Sequence, residues 1–502
     1  MDTLKKIRTY GIEQNLGDMG DHPQFRVLSD KKLERLHEAT LEVLGTIGVK
    51  VARQEAIDML SEAGCEVDCD IVKLPRPLIE DAIASAPKRI TIYNREGEEA
   101  LHLGSKAAYT MTGYTDLDFF DVDTGERRPY CLDDFRLVSR IADALPNVDA
   151  IGQPGVVRPS TENPLEVINH LEVEAMMTNT SKPLHLLVAS GEILNDCFEM
   201  AEAIVLANGF KSLAEKPFVM PMLNPVSPLI FNEETIDKLL LSVDWGVPVI
   251  CGPMPLAGGT SPMTPAGTIV QNNAESLAGL VIAHVRRKGA PYVMITFTAT
   301  IDMRTGMVCG GPEATLMKIG AIELGHYYGI PICGSWIGGG DRGLLDGQTG
   351  WFQMLGGLTG MLSSANAGMG VGPGYSLEAC VMADELVGML KNMMKGVPVD
   401  EETLAVEVIR EIGPGGGMFL DHPHTYKHFR EFWQPTLITR LEYEDWAAGG
   451  SKSMEDLVKE RLQDIICNHK PKPIPDEAKN KIGRIIERAR ARIPTKSARA
   501  RG

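Results

Sequence analysis

Residues 331–353 read PICGSWIGGGDRGLLDGQTGWFQ and contain, in one stretch, the unit from which most of the chain is built. Pro331 opens the short apolar run Ile332–Trp336, which reads as a buried strand. Gly338, Gly339 and Gly340 then let the backbone turn without a side-chain penalty. Asp341 and Arg342 charge the loop, and Asp346 to Gln348 begin an amphipathic segment that carries Trp351 and Phe352. A strand, a glycine-rich loop and a helix start in this order mark the place where ligands meet a parallel α/β protein.

The same unit recurs on either side. Apolar runs of strand length fall at 107–113, 150–154, 184–189, 218–222, 247–251, 292–297, 332–336 and 365–370. Segments able to form helices follow each of them, near 132–144, 164–179, 192–208, 233–245, 265–288, 312–328, 347–362 and 376–396. Eight alternations over this span predict an α/β fold of the (β/α)8 TIM-barrel type; a doubly wound open sheet uses the same alternation and is the second choice. Lys182-Pro183, Lys216-Pro217, Val247-Pro248, Ala290-Pro291 and Ile330-Pro331 suit strands entered at the barrel bottom. The expected organisation is a small N-terminal α+β cap over 1–104, the barrel over 105–396, and a C-terminal helical extension with a basic tail over 397–502. Ser29 is the expected N-cap of the first cap helix, and 116–128 reads as a hairpin around Asp123-Thr124-Gly125.

The chain has 502 residues and a net charge of −17. Residues 470–502 hold eleven Lys/Arg against three Asp/Glu, a net of +8, which leaves −25 for residues 1–469. An acidic body argues against nucleic acid as the main partner. The basic tail reads as a solvated, frayed terminus. Nine scattered cysteines without framework spacing point to a reduced, cytoplasmic protein. The sequence contains no run of apolar residues long enough to span a membrane and opens on no signal-peptide pattern.

A barrel delivers its chemistry at the C-terminal strand ends. Thr112, Gly113, Tyr114, Gln153, Pro154, Ser190, Asn224, Met254, Phe297, Thr298, Trp336, Gly372 and Tyr375 are the residues so placed, an aromatic and neutral set. It holds no carboxylate pair for acid–base work, no G-x-S-x-G elbow, no H-E-x-x-H and no P-loop. His422, His424 and His428 lie close in sequence, but Pro423 interrupts them and nothing obvious completes a metal site, so they read as surface or docking histidines. An aromatic mouth without acid or base suits a cationic ligand, since ring faces attract a quaternary ammonium by ~0.5–2 kcal/mol per contact.

Several blocks, in order, resemble the trimethylamine methyltransferase (MttB-type) superfamily. They are SDKKLERLHEATLEVLGTIGVKV (29–51), VICGPMPLAGGTSPMT (249–264), GGPEATLMKIGAIELGHYYGIP (310–331), LDGQTGWFQ (345–353) and GPGGGMFLDHPHTYKHFREFWQP (413–435). The resemblance covers almost the whole chain. Members that demethylate trimethylamine carry pyrrolysine just before the D-x-Q-x-G segment, here Asp346 to Gly350; this chain has Arg342-Gly343-Leu344-Leu345 there and no pyrrolysine. The resemblance therefore implies a methyltransferase that moves a methyl group from a quaternary amine to the Co(I) corrinoid (cobalamin) of a small partner protein, with no cofactor held permanently and no metal site. Glycine betaine, proline betaine, carnitine and γ-butyrobetaine are the expected substrate class. Substrate contacts are assigned to Trp336, Arg342, Gln348, Trp351, Phe352, Tyr114, Phe297 and Tyr375, with Arg342 as first candidate for a substrate carboxylate ahead of Arg304 and His326. Gly338, Gly339, Gly340 and Gly372 are assigned to the approach of the corrinoid partner. No residue is expected to act as acid or base, and a homo-oligomer is expected. The other readings are a metal-dependent barrel lyase or hydrolase using His326 or the 422–428 histidines, and a non-catalytic betaine-binding protein.

Overall fold

In the computed structural model the described residues are 25–493, except 106, 114, 123, 161–162, 336–346, 364–366 and 372–375. Eight parallel strands form one sheet: β1 Tyr109–Thr112, β2 Ile151–Gly152, β3 Leu184–Leu186, β4 Val219–Leu223, β5 Val249–Cys251, β6 Tyr292–Thr296, β7 Ile332–Ser335 and β8 Ala367–Val371. From β2 to β8 each strand pairs with the next, and β8 returns to β1 with Gly368 opposite Thr110. The bridge between Met111 and Ala150 then joins β1 to β2 and closes the ring. This is a (β/α)8 barrel.

Each strand is followed by its helix: α1 Leu132–Ala144, α2 Leu165–Asn179, α3 Gly191–Ala207, α4 Glu233–Trp245, α5 Pro265–Arg286, α6 Pro312–Tyr328, α7 Gly347–Leu362 and α8 Leu377–Met393. Local chemistry sets their ends. The Asn232 side chain accepts from Thr235 N at 2.8 Å to start α4, and Gly246 at φ +72° ends it. Ser190 and Ser376 cap α3 and α8 in the same way.

Side chains alternate across the barrel wall. Leu184, Leu186, Val219 and Val249 face the helices, while Met111, Met220, Met222, Ile250, Val293, Ile295 and Cys333 fill the interior. Ile90, Ile92, Leu101 and Leu103 belong to that interior cluster. They come from an antiparallel hairpin, 90–93 with 99–103, which enters the N-terminal end of the barrel and hydrogen-bonds through Tyr93 N to Pro217 O and Arg95 N to Ser181 O. The bottom is thus plugged, and the C-terminal face is the open end.

The remainder of the N-terminal region is woven into the barrel. A helix over 30–42 leads into strands 49–51, 66–68 and 71–73, and a fourth strand, 230–231 from the loop after β4, pairs with 49–51. Ser29 is the first helix's N-cap residue, though its side chain makes no capping bond. Residues 118–120 and 127–129 form the expected antiparallel hairpin.

Over its described part the basic tail departs from the expected frayed terminus. Residues 476–491 form a docked helix whose Ala478, Ile482, Ile485, Ile486 and Ala489 are buried. Asp196, in α3 and 1% exposed, accepts from Arg488 at 2.6 Å and Arg492 at 2.8 Å, and also from His170 at 3.0 Å. Burial alone would raise the Asp196 carboxyl, but these three donors outweigh it and hold it below its ordinary value. Helical period and a buried acid explain why residues 476–492 of this charge run are docked.

Candidate functional site

The open face of the barrel carries a cavity of about 400 Å³ over the ends of β2, β3 and β4. Gln153, Asn169, Asn224, Asn232, Thr235 and Lys238 are among its lining residues, so its wall is rich in amides. Lys238 Nζ donates to Val188 O at 3.0 Å and to Glu234 at 2.6 Å, so this cation is already engaged. Asn224 donates to Gly252 O at 3.1 Å, which ties the loop after β4 to the end of β5.

Behind the wall lies Glu172, fully buried in α2. It accepts from Val157 N at 2.8 Å, from Gln153 Nε2 at 2.8 Å and from Asn169 Nδ2 at 2.7 Å. Both amides are fixed in orientation from their other ends: Leu187 N donates to Gln153 Oε1 at 3.1 Å and Ala189 N to Asn169 Oδ1 at 3.1 Å. One carboxyl therefore sets the positions of the loops after β2 and β3. Burial pushes its pKa up to about 7 even though three donors favour the charged form. The sequence identified Gln153 as a mouth residue but gave no sign of Glu172 beneath it, because a glutamate in the helical run HLEVEA looks solvated until the helix is placed.

His185, on β3, shares the interior parity of Leu187 and lies opposite Met220. Complete burial lowers its pKa to about 3, so the barrel interior holds a neutral imidazole. On α6, Lys318 has no hydrogen-bonding partner among the described residues, and burial lowers its pKa to about 8.

Of the residues assigned from sequence, Phe297 packs at the top of the interior cluster, with its ring against Gly252. Phe352 stands beside Gly310, and Trp351 is 80% exposed on the first turn of α7. Gln348 is exposed on the same turn. Trp336, Arg342, Tyr114, Tyr375, Gly338, Gly339, Gly340 and Gly372 lie outside the described residues. The two weaker carboxylate candidates are accounted for differently. Arg304 is 90% exposed near Asp302, and His326 faces Ser363 O at 3.0 Å.

The loops after β5 and β6 build a small rim. Strands 256–257, 299–301 and 308–309 pair there, and Met263 and Met303 both flank Gly258. Met254, Met263, Met303, Met307 and Leu316 are exposed on these loops and the start of α6, and Phe352 lies beside Gly310. Among the described residues no group of three or more His, Cys, Asp or Glu side chains is arranged to hold a metal. His422 is engaged by Glu411 at 3.0 Å and His428 by Glu431 at 2.9 Å.

Comparison with known proteins agrees with this architecture. The family model of trimethylamine methyltransferase (MTTB) matches residues 5–494. A trimethylamine methyltransferase MttB of Desulfitobacterium hafniense (strain DSM 10664 / DCB-2) is 32% identical over 469 residues, covering 91% of this chain and 93% of that protein. A glycine betaine methyltransferase of Desulfitobacterium hafniense (strain Y51) is 30% identical over 475 residues, covering 92% and 97%. The crystal structure of the Methanosarcina barkeri monomethylamine methyltransferase (MtmB) superposes with a TM-score of 0.50 at 13% identity, covering 97% of this chain and 91% of that one. The chain belongs to the trimethylamine methyltransferase family and is a methyltransferase.

Proposed function

We propose that this enzyme transfers a methyl group from a quaternary ammonium compound, glycine betaine or a related betaine, to the corrinoid of a partner protein. The observation that carries the reading is the Arg342-Gly343-Leu344-Leu345 sequence before Asp346, the place where the family resemblance implies pyrrolysine in members that demethylate trimethylamine. A quaternary amine departs as a neutral tertiary amine and needs neither a proton nor an adduct, so a site without pyrrolysine suits it. A relative named as a glycine betaine methyltransferase supports the same substrate class.

The corrinoid, brought by its own protein, supplies a Co(I) nucleophile. The chain's own task is to hold one N-methyl group toward the open face, to desolvate it and to keep water away. An amide-lined cavity whose one carboxylate among the described lining residues, Glu234, is paired with Lys238 is compatible with this task, as is the Met-rich rim, since flexible thioethers adapt to a protein surface that must dock and leave. The carboxylate of a betaine is assigned to Arg342. Of the histidines a metal-dependent reading would use, His326, His422 and His428 are hydrogen-bonded or ion-paired as described above, and among the described residues no group of three or more His, Cys, Asp or Glu side chains is arranged to hold a metal.

Calorimetric titration with glycine betaine, proline betaine, carnitine and γ-butyrobetaine, each beside its demethylated tertiary amine, tests the proposal. Binding of at least one quaternary member, with its tertiary counterpart at least tenfold weaker, is expected. Equal binding of both, or of neither in any pair, refutes it.

A further inference from the structure

The helix over 476–491 lies along α2 and α3 and, at 1.5 Å per residue, is about 24 Å long, enough to run from one end of the barrel wall to the other. Its approach is pinned at the plugged end. His469 Nε2 lies 2.8 Å from Asp143 Oδ2 near the end of α1. Arg95, in the turn of the plug hairpin, donates to Lys472 O and, at 2.8 Å, to Met177 O near the end of α2.

The other end of the helix reaches the open face, where each barrel helix begins beside the end of the strand before it. Arg490 Nη2 donates to Asn163 Oδ1 at 3.0 Å, one residue before the N-cap of α2. Arg492 Nη1 donates to Asp196 Oδ2 at 2.8 Å and lies 2.9 Å from Glu192 Oε1, both acids being in the first two turns of α3.

These anchor points adjoin the cavity wall. Asn163 N donates to Ser160 Oγ at 3.0 Å and Ser160 N to Asn163 O at 2.9 Å, so the arginine holds a closed turn between the lining residues Val156 and Asn169. Glu192 follows the lining residue Ala189 by three positions. Asp196 also accepts from His170, the neighbour of Asn169 in the chain, and Asn169 Oδ1 accepts from Ala189 N. The two loops and the arginines thus form one connected set of bonds. Burial of Ile482, Ile485 and Ile486 docks the helix, but apolar burial is non-directional and does not fix a loop's position. Charge-assisted hydrogen bonds do, and those to the buried Asp196 are little screened by salt. The exposed Arg492–Glu192 pair adds little by itself.

We infer that Arg490 and Arg492 are positioning residues for the methyl-transfer site: from outside the barrel they fix the loops after β2 and β3, which Glu172 fixes from beneath. The inference rests on the cavity being the substrate site and not on which amine is the substrate.

Hydrogen exchange on Arg490→Ala/Arg492→Ala and Arg490→Lys/Arg492→Lys tests it, together with steady-state methyl transfer to a reduced corrinoid protein. The amine is whichever of glycine betaine, proline betaine, carnitine, γ-butyrobetaine and trimethylamine the parent demethylates. In the alanine variant, exchange at 153–160 and 187–193 should quicken at least tenfold while 249–251, 292–296 and 478–486 stay slow. KM for the amine should rise about tenfold with kcat within about twofold of the parent, and the lysine variant should restore most of both. Lys479→Ala, at the exposed start of the same helix, should change neither. Unchanged exchange at the two loops overturns the inference. So does equal acceleration at 249–251 and 292–296, a fall in kcat without a rise in KM, a lysine variant no better than the alanine one, or the same effects from Lys479→Ala. A parent that demethylates none of the amines sinks the proposed activity, and exchange at the two loops then decides the positioning role.

Discussion

Replacing Glu172 by Gln changes the residue that fixes two loops of the mouth while keeping its shape. In the folded chain its carboxyl titrates near pH 7, against an ordinary value of 4.5. A folded-state pKa raised in this way means that the folded protein binds the proton more tightly than the unfolded one. Its contribution to stability is therefore complete below about pH 4.5, falls as the pH rises, and levels off above about 7. At about 1.4 kcal/mol per tenfold change, that window corresponds to on the order of 3 kcal/mol. Glutamine does not titrate, so the stability difference between the two proteins should narrow by this amount from pH 4.5 to 8. Against this, the new amide presents one acceptor to the three N–H groups of Val157, Gln153 and Asn169, and each unmatched buried donor costs ~1–3 kcal/mol. Glu172→Gln should thus be clearly less stable at pH 5 and approach the parent at pH 8, with weaker betaine binding at both. Thermal melts across this range, paired with hydrogen exchange at residues 153–157 and 187–189, measure it. A stability gap independent of pH would refute the assignment of a buried, titrating carboxyl.

Other outcomes follow from separate parts of the molecule. Met303→Glu on the rim should raise the corrinoid-protein concentration needed for half-maximal transfer by about tenfold, roughly 1.4 kcal/mol, and leave betaine binding unchanged by calorimetry. Asp196→Ala removes the acceptor of His170, Arg488 and Arg492; because both arginines can turn to water, the loss should lie near the lower end of ~3–5 kcal/mol and show as faster exchange across 476–491. Lys318→Met should raise the melting temperature at pH 7, because a lysine whose pKa is lowered to about 8 by burial is costly when charged; that gain should shrink as the pH rises through 8 and 10.

The barrel was readable because its signals are local. Pro331 before Ile332 marks an element start by chemistry that acts within a few residues, and the eight runs and eight helices lie close to where the sequence put them. What could not be read depends on pairs distant in sequence. The plug formed by Ile90, Ile92, Leu101 and Leu103 needs the barrel to exist before its destination is visible. Four buried glutamates show the same limit. Glu172, Glu275, Glu323 and Glu385 each accept backbone N–H groups from a distant segment, at Val157, Leu229, Val27 and Thr436. A helical glutamate of this kind is indistinguishable in sequence from a solvated one. The basic tail misled for the same reason, since Asp196 lies 292 residues before Arg488. At the site, Gln153, Asn224 and Phe297 follow from strand position alone, whereas Glu172 and the rim built by Met263 and Met303 require the fold.

The central claim concerns which amines give up a methyl group. The direct measurement is methylation of a reduced corrinoid protein, followed by its absorbance, with glycine betaine, the longer betaines and trimethylamine supplied one at a time. Methylation with a betaine and none with trimethylamine is the predicted result; methylation with trimethylamine, or with no quaternary amine at all, would contradict it.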